Sequence, residues 1–303
     1  MDCWYKFYFA LPDDHALGII GKVVNRVVAK LVKKQLEKCF PIYCTKHPLS
    51  CGVNRDEIRD RKLVCSLTSF PARIDEIWKS IETIFRQSYK ADEVILWLAT
   101  TQFPDHRLPE SILELQKRGL TIRWCDEDLR SHKKYFYVLQ EYKNADIVLL
   151  DDDLYYPDRL LENLVKMAQE NPACICATRV HRMTYTCGKL NPYRQWHHNF
   201  NKWRGDSSDL FFTSGAGTLI PAGLMPQDTF NKEVFKDICF FADDVWLNFQ
   251  ARNGNVKVVT NSFYNKDEIS VGKTQQVKLV QQNVLVGGND KQINAVKSYL
   301  KLN

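Results

Sequence analysis

Apolar positions divide this chain into an N-terminal stretch of helical period and a longer region in which strand-length apolar runs alternate with helical stripes. Leu63-Val64-Cys65-Ser66-Leu67-Thr68 is a nearly continuous apolar run. Ile74 to Gln87 follows with apolar residues at Ile74, Ile77, Trp78, Ile81, Ile84 and Phe85, the spacing of one helix face. Glu93 to Leu98 reads as the next strand. Leu108 to Arg118 reads as a helix closed by Gly119, whose missing Cβ suits a left-handed C-terminal cap. Leu120 to Trp124 is a strand, Lys133 to Tyr142 a helix, and Ala145 to Leu150 an apolar strand. Strand and helix thus alternate four times, which predicts an α/β fold with a mostly parallel sheet covered on both faces. Ligands of such sheets bind at the carboxyl ends of the strands.

Beyond Leu150 the pattern loosens. Arg159 to Glu170 predicts a helix and Ala173 to Thr178 a strand, whereas Val180 to Ser208 is polar and aromatic with no regular period. A loop that long inside a compact domain is usually functional. A polar tail follows Asn265, with a final helix near Gln292 to Lys301. The implied organisation is a basic helical extension and linker over residues 1–60, a central α/β domain over 61–265, and a tail over 266–303.

In the extension, Gly21 to Phe40 carries Lys22, Arg26, Lys30, Lys33, Lys34 and Lys38 against the single acid Glu37, interleaved with Val23, Val24, Val27, Val28, Leu31, Val32 and Leu36. This is a basic amphipathic helix, and residues 20–40 have two readings. They lie in a membrane interface with the lysines toward acidic headgroups, or their apolar stripe packs on the central domain. No run approaches the roughly 18 to 20 consecutive apolar residues of a membrane span. Pro41 to Arg55 is turn-rich, and the charged run to Lys62 reads as a linker.

The formal charge of +6 admits nucleic acid, an anionic surface or phosphorylated substrates. The excess sits near the N-terminus while acids cluster elsewhere, which counts against nucleic acid. The ten cysteines are scattered in apolar contexts with no secretory signal ahead of them, as in a cytoplasmic protein with reduced thiols. Cys39, Cys44 and Cys51 with His47 match no zinc-ligand spacing.

The candidate chemistry begins at Asp151-Asp152-Asp153, directly after the apolar strand. Three carboxylates crowded at a sheet edge repel one another without a cation, and oxygen-rich sites suit Mg2+ or Mn2+. A solvated turn or helix cap is the structural alternative. A second acidic pair, Asp243-Asp244, stands before the helical pattern through Trp246 and Phe249 and has the same alternative.

Leu67-Thr68-Ser69-Phe70-Pro71-Ala72-Arg73-Ile74, then Asp92 to Ala99, then Lys134-Tyr135-Phe136 ahead of Val148 to Tyr156, together resemble the family 2-like bacterial glycosyltransferases of the GT-A fold. The resemblance covers about residues 62 to 250. It implies a GT-A domain that moves a sugar from a nucleotide-sugar donor, with a lean to UDP, onto an acceptor hydroxyl with inversion. A glycan or lipid-linked acceptor, surface or capsular polysaccharide assembly, and a place in the cytoplasm, peripheral on the inner membrane face, go with it.

By the same resemblance Asp153 is the direct ligand of Mn2+ or Mg2+, Asp151 a metal or ribose contact, and Asp152 part of the donor site. Thr68 to Arg73, including Ser69, cradles the nucleotide, unless Arg73 pairs with Asp75 or Glu76. Lys134, or Lys133 beside it, faces the donor. Gly215 and Gly217 in Phe211 to Pro221 face the donor sugar and acceptor. Asp244, or Asp243, is the base, since an attacking hydroxyl must lose its proton. Trp246, and Tyr193, Trp196 and Trp203 with His181, His197 and His198 in the irregular segment, are acceptor-side candidates. No histidine follows His198, so water or the donor completes the metal shell. A nucleotidyltransferase is the second enzyme reading, though Ser66 to Ile74 lacks the glycines of a nucleotide loop. A non-catalytic nucleotide- or membrane-binding module is the third.

Overall fold

The computed structural model describes residues 2–11, 18–200, 205–261, 263–264, 266–272 and 288–302. Two helices come first, α1 (Asp2–Ala10) and α2 (Gly18–Lys46). Then follow β1 (Leu63–Thr68), α3 (Trp78–Phe85), β2 (Glu93–Ala99), α4 (Glu110–Lys117) and β3 (Leu120–Cys125). Next are α5 (Lys133–Phe136), α6 (Val138–Glu141), β4 (Asp146–Leu150), β5 (Leu154–Tyr155), α7 (Leu160–Glu170) and β6 (Cys174–Ala177). Short strands β7 (Val180–Arg182), β8 (Tyr185–Thr186), β9 (Lys189–Leu190), β10 (Gly205–Ser207) and β11 (Leu210–Phe212) lead into β12 (Ala216–Ile220). Last come α8 (Lys232–Ile238), α9 (Asp243–Asn253), β13 (Lys257–Thr260), β14 (Ile269–Ser270) and α10 (Gly288–Leu300).

Eight strands form one sheet in the order β10-β13-β6-β12-β4-β1-β2-β3. β1 lies parallel to both β2 and β4, β2 to β3, and β6 to β13, while β12 runs antiparallel between β4 and β6. The alternation of side chains along a strand explains why the central runs are apolar throughout. Cys65, Leu67, Val94, Leu96, Val148 and Leu150 face a core closed by α3, α4 and α7. Val64, Ile95, Trp97, Ile147 and Leu149 face a second core closed by α9, α10 and the aromatic side chains Tyr135 and Phe235.

The expected helix from Ile74 is helical only from Trp78, after a series of turns. The Lys133 to Tyr142 helix is two short ones meeting at Tyr137. Gly119 takes φ +112°, as its capping place requires. The Val180 to Ser208 segment is more regular than its pattern suggested, because strands of two or three residues are too short to display a period.

α2 runs past the expected boundary and through Pro41 to Lys46, since Phe40 before the proline and Cys44 after it both pack on the same small core. Its packing face is Val32, Leu36 and Phe40, set against Tyr155, Ile269 and Val271. The Phe40 and Tyr155 rings meet edge to face at 5.5 Å. Glu37 accepts from Lys79 Nζ at 2.8 Å, from the Tyr155 hydroxyl at 2.9 Å and from Gly272 N. One face of the helix therefore packs on the sheet domain, and β14, which lies in the expected tail, pairs with β5 beneath it.

Phe40→Ala should empty this contact and cost about 3 kcal/mol, the usual scale for a buried aromatic. A urea unfolding midpoint equal to wild type would show that α2 is not held here.

Candidate active site

β4 ends at Leu150, so the chain emerges at the carboxyl edge of the sheet with Asp151, Asp152 and Asp153. Antiparallel pairing of Ala216 with Leu150 brings the segment before β12 alongside. There the Asp151 N–H donates to Gly215 O at 3.1 Å and to the Tyr156 hydroxyl at 2.7 Å. The Tyr156 hydroxyl lies 2.6 Å from Gly215 O, to which it donates. A Cβ on Gly215 would stand 1.7 Å from Asp151 Oδ2. Glycine at this position is what gives the Asp151 carboxylate its room.

The three acids differ in surroundings. Asp152 is buried, and its carboxylate accepts from Ser69 Oγ and from Arg73 Nη1, each at 2.6 Å. Arg73 also reaches Asp153 Oδ2 at 3.1 Å, so it pairs with the cluster rather than with Asp75 or Glu76. Burial, reinforced by Asp151 and Asp152, pushes Asp153 up to about 7. Asp151 is the most exposed of the three and accepts from Lys134 Nζ at 2.8 Å.

Lys134 continues to Asp243 Oδ2 at 3.0 Å and so joins the two acidic motifs. Lys133 instead turns to Asp128 and Gln102, so Lys134 is the lysine that contacts the two acidic motifs. Burial works to lower the Lys134 pKa, but Asp151, Asp243 and Asp244 together hold it above the ordinary lysine value. At the start of α9, the same kind of contest separates neighbours. Burial of Asp243 is overcome by Lys134 and His132, which bring it down to about 2, whereas burial and the Asp243 charge push Asp244 up to about 6. Neither acid caps α9; the capping position is Ala242 and carries no side-chain bond. Asp244 Oδ1 accepts from Ser214 N at 2.8 Å and Ser214 Oγ at 2.6 Å, and its backbone oxygen accepts from Asn248 at 2.7 Å. The two Ser214 bonds hold Oδ1 of a carboxylate that lines the cleft.

Both motifs line one cleft of about 380 Å3, together with Thr68, Ser69, Arg73, Lys134, Arg130, Tyr193, Phe211 and Phe241. Over residues 70–224, half of the chain, the sequence matches the family described as glycosyl transferase family 2. The chain belongs to glycosyl transferase family 2. No curated protein matches it. Among solved structures it is similar to the mannosyltransferase PcManGT from Pyrobaculum calidifontis in complex with GDP-Man and Mn2+, at 14% identity and a TM-score of 0.45, over 91% of this chain and 80% of that one. It is similar to the 4-diphosphocytidyl-2C-methyl-D-erythritol synthase of Anaerococcus prevotii, at 16% identity and a TM-score of 0.44, over 80% and 100%. Residues 1–349 of TarS from S. aureus in complex with UDP give 11% identity and a TM-score of 0.42, over 68% and 59%. Likenesses this loose assign no substrate.

The glycosyltransferase carries the mixed, mostly parallel GT-A sheet expected of it. Its expected donor-side residues Thr68, Ser69, Arg73, Lys134, Asp151, Asp152 and Asp153 converge on the cleft, as do Asp243 and Asp244. Three acceptor-side expectations need correction. Trp246 is fully buried and donates to Thr229 O at 2.8 Å, so its ring offers a ligand no surface. Gly217, at φ +103°, lies against Leu160 of α7 and serves the backbone, not a ligand. Trp196 is largely buried, donates to Asn191 O, and borders a neighbouring cavity instead of the cleft. Trp203 lies outside the described residues. Ser214, Tyr156 and Arg130 went unassigned in the sequence, whereas Tyr193, expected on the acceptor side, does line the cleft. Ser214 and Tyr156 lie within the motif segments, but nothing in the spacing marked them, and Arg130 has no sequence signal.

Among the described residues, no three His, Cys, Asp or Glu side chains form a ready metal cage. The cleft offers instead the hard oxygen donors of Asp151 and Asp153, with Asp152 committed to Ser69 and Arg73. That donor set fits Mg2+ or Mn2+, which take few protein ligands and fill their shells with water and substrate phosphate.

Lys134→Met should leave buried Asp243 and part-exposed Asp151 without their shared cation and cost about 3 kcal/mol near neutral pH. The depressed Asp243 pKa means that the native pair stabilises above the unfolded carboxylate value and loses that effect as pH falls toward 2. The stability gap between wild type and variant should therefore be widest above pH 5 and narrow on acidification; a gap independent of pH would contradict the pairing.

Proposed function

We propose that this glycosyltransferase transfers a sugar from a nucleotide-diphosphate sugar, by resemblance a UDP-sugar, to an acceptor hydroxyl with inversion, in the assembly of a surface or capsular polysaccharide or related glycan. The observation that carries the reading is the pair of acidic motifs across one cleft, one with oxygen donors at a strand end and the other with a single carboxylate of raised pKa. Residues 61–265 would form the catalytic domain.

In this reading the loop from Thr68 to Arg73 holds the base and ribose, and Asp151 and Asp153 would hold Mn2+ or Mg2+. When bound, the cation neutralises charge growing on the leaving diphosphate. Arg73 and Lys134 offset part of the negative charge of the acids they contact. Arg130, also in the cleft wall, adds positive charge for phosphate.

Asp244 accepts the acceptor's proton as the hydroxyl oxygen bonds to the anomeric carbon. The bond from that carbon to the diphosphate oxygen breaks, and its electron pair leaves with the nucleotide. Attack from the face opposite the departing group inverts the centre. Asp243, tied to Lys134 and held near 2, positions its neighbour rather than taking the proton. Among the described residues no helix is long and apolar enough to cross a membrane, which is compatible with the proposed peripheral, cytoplasmic placement.

With saturating Mn2+, release of UDP from a panel of UDP-sugars in the presence of acceptor glycans should rise with pH through about 6 and then level, because Asp244 works deprotonated. Asp244→Asn should lower that rate on the order of a hundredfold, the scale of a lost general base, with UDP affinity little changed. A variant that keeps the wild-type rate and pH profile would remove Asp244 from this role.

A further inference from the structure

α2 presents three faces. One is the packing face already described. A second is an exposed apolar stripe of Ile20 (73% exposed), Val23 (54%), Val24 (46%), Val27 (51%) and Leu31 (57%), at helical spacing. The third carries Lys22, Arg26, Lys30 and Lys33 at steps of four, four and three residues, and forms one wall of a cavity of about 800 Å3. Cations repeated at this spacing repel along a helix and weaken it. Among the described residues, Lys22, Arg26 and Lys30 make no ion pair, and no acid lies between Gly18 and Leu36 to offset them. On the opposite wall, Asp267 and Glu268 lie 3.8 and 3.7 Å from Arg179, which offsets part of their charge, and the lining cations Lys22, Arg26, Lys30, Lys33 and Lys266 outnumber these two acids.

The cavity abuts the candidate active site. Lys33 donates to Ser270 Oγ at 2.7 Å, and Val271 N donates to Asp153 O at 2.7 Å. Trp196, on the cavity side, meets Tyr193, on the cleft side, with ring centroids 4.9 Å apart.

We propose that this cavity receives the phosphate-bearing headgroup of an amphiphilic acceptor while the exposed stripe of α2 lies in the lipid surface that supplies it. Calling the occupant an acceptor rests on the transferase reading; the binding itself does not. Charge complementarity selects the occupant. An apolar stripe bordered by Lys30, Lys34 and Lys38, beside a cationic cavity, matches an anionic bilayer surface and a phosphate headgroup at its boundary. Such a helix lies in the interface and does not span it, and α1 adds the exposed Trp4 and Phe7.

The test is flotation of the full chain, without nucleotide or divalent metal, with phosphatidylcholine vesicles alone or containing dioleoyl phosphatidic acid. Calorimetric titration of inorganic pyrophosphate runs in parallel, and thermal midpoints confirm that the variants fold. Wild type should float with the phosphatidic acid vesicles and not with phosphatidylcholine alone. A triple variant, Lys22→Gln, Arg26→Gln and Lys30→Gln, should bind these vesicles on the order of a hundredfold more weakly. It should also lose pyrophosphate. Val27→Asp with Leu31→Asp should lose the vesicles and keep pyrophosphate. Flotation retained by the triple variant would overturn the cavity assignment, and flotation retained by the stripe variant would overturn insertion. Pyrophosphate binding without flotation would make the occupant a soluble phosphate compound and overturn the lipid source, as would flotation on neutral vesicles alone. Because no donor is present, failure here leaves the transfer reading intact, and a chain that floats but releases no UDP would fail that reading alone.

Discussion

Electrostatic repulsion among carboxylates is the constraint around which this structure is arranged. Asp151, Asp152, Asp153, Asp243 and Asp244 meet at one end of the sheet, where burial makes each negative charge costly. Arg73 and Lys134 hold them in place, one clamping Asp152 and Asp153, the other spanning Asp151 and Asp243. Compensation is uneven. Lys134 and His132 hold Asp243 low, whereas burial keeps the proton affinities of Asp152, Asp153 and Asp244 raised in the same cleft. Each motif therefore keeps at least one acid whose charge is under-compensated.

The scaffold follows from that need. β4 must be apolar on both faces to run through the centre of the sheet, and its end then delivers three consecutive acids at the edge. β12 runs antiparallel beside it, so Gly215 makes room for Asp151 while Ser214, one residue earlier, orients Asp244. A single turn between strands thus sets the geometry of both motifs.

Much of this was legible in the sequence because strands buried on both faces leave unbroken apolar runs, and β1 to β4 fall within a residue or so of where those runs lie. The two acidic motifs were legible as well, since clustered acids at a strand end and a helix start are chemically conspicuous. Aromatic side chains misled. Trp246 sits beside Asp244 in sequence, but a helix turns the next residues away by 100° each, and its ring points into the core. The short strands between Val180 and Ser207 left no period to read. The N-terminal helix had been open between packing and exposure, and its apolar residues divide between the two, Val32, Leu36 and Phe40 inward and the Ile20 to Leu31 stripe outward. A 29-residue helix with apolar positions on opposite sides has no single amphipathic stripe, so pattern alone could not say which side docks.

The central claim is that the acids after β4 hold a nucleotide diphosphate through a divalent cation. Isothermal titration of UDP into the purified chain, with and without Mn2+ and repeated on Asp153→Ala, tests it most directly. The account predicts binding that requires Mn2+ and disappears in the variant; equal UDP affinity with and without the metal, in both proteins, would contradict it.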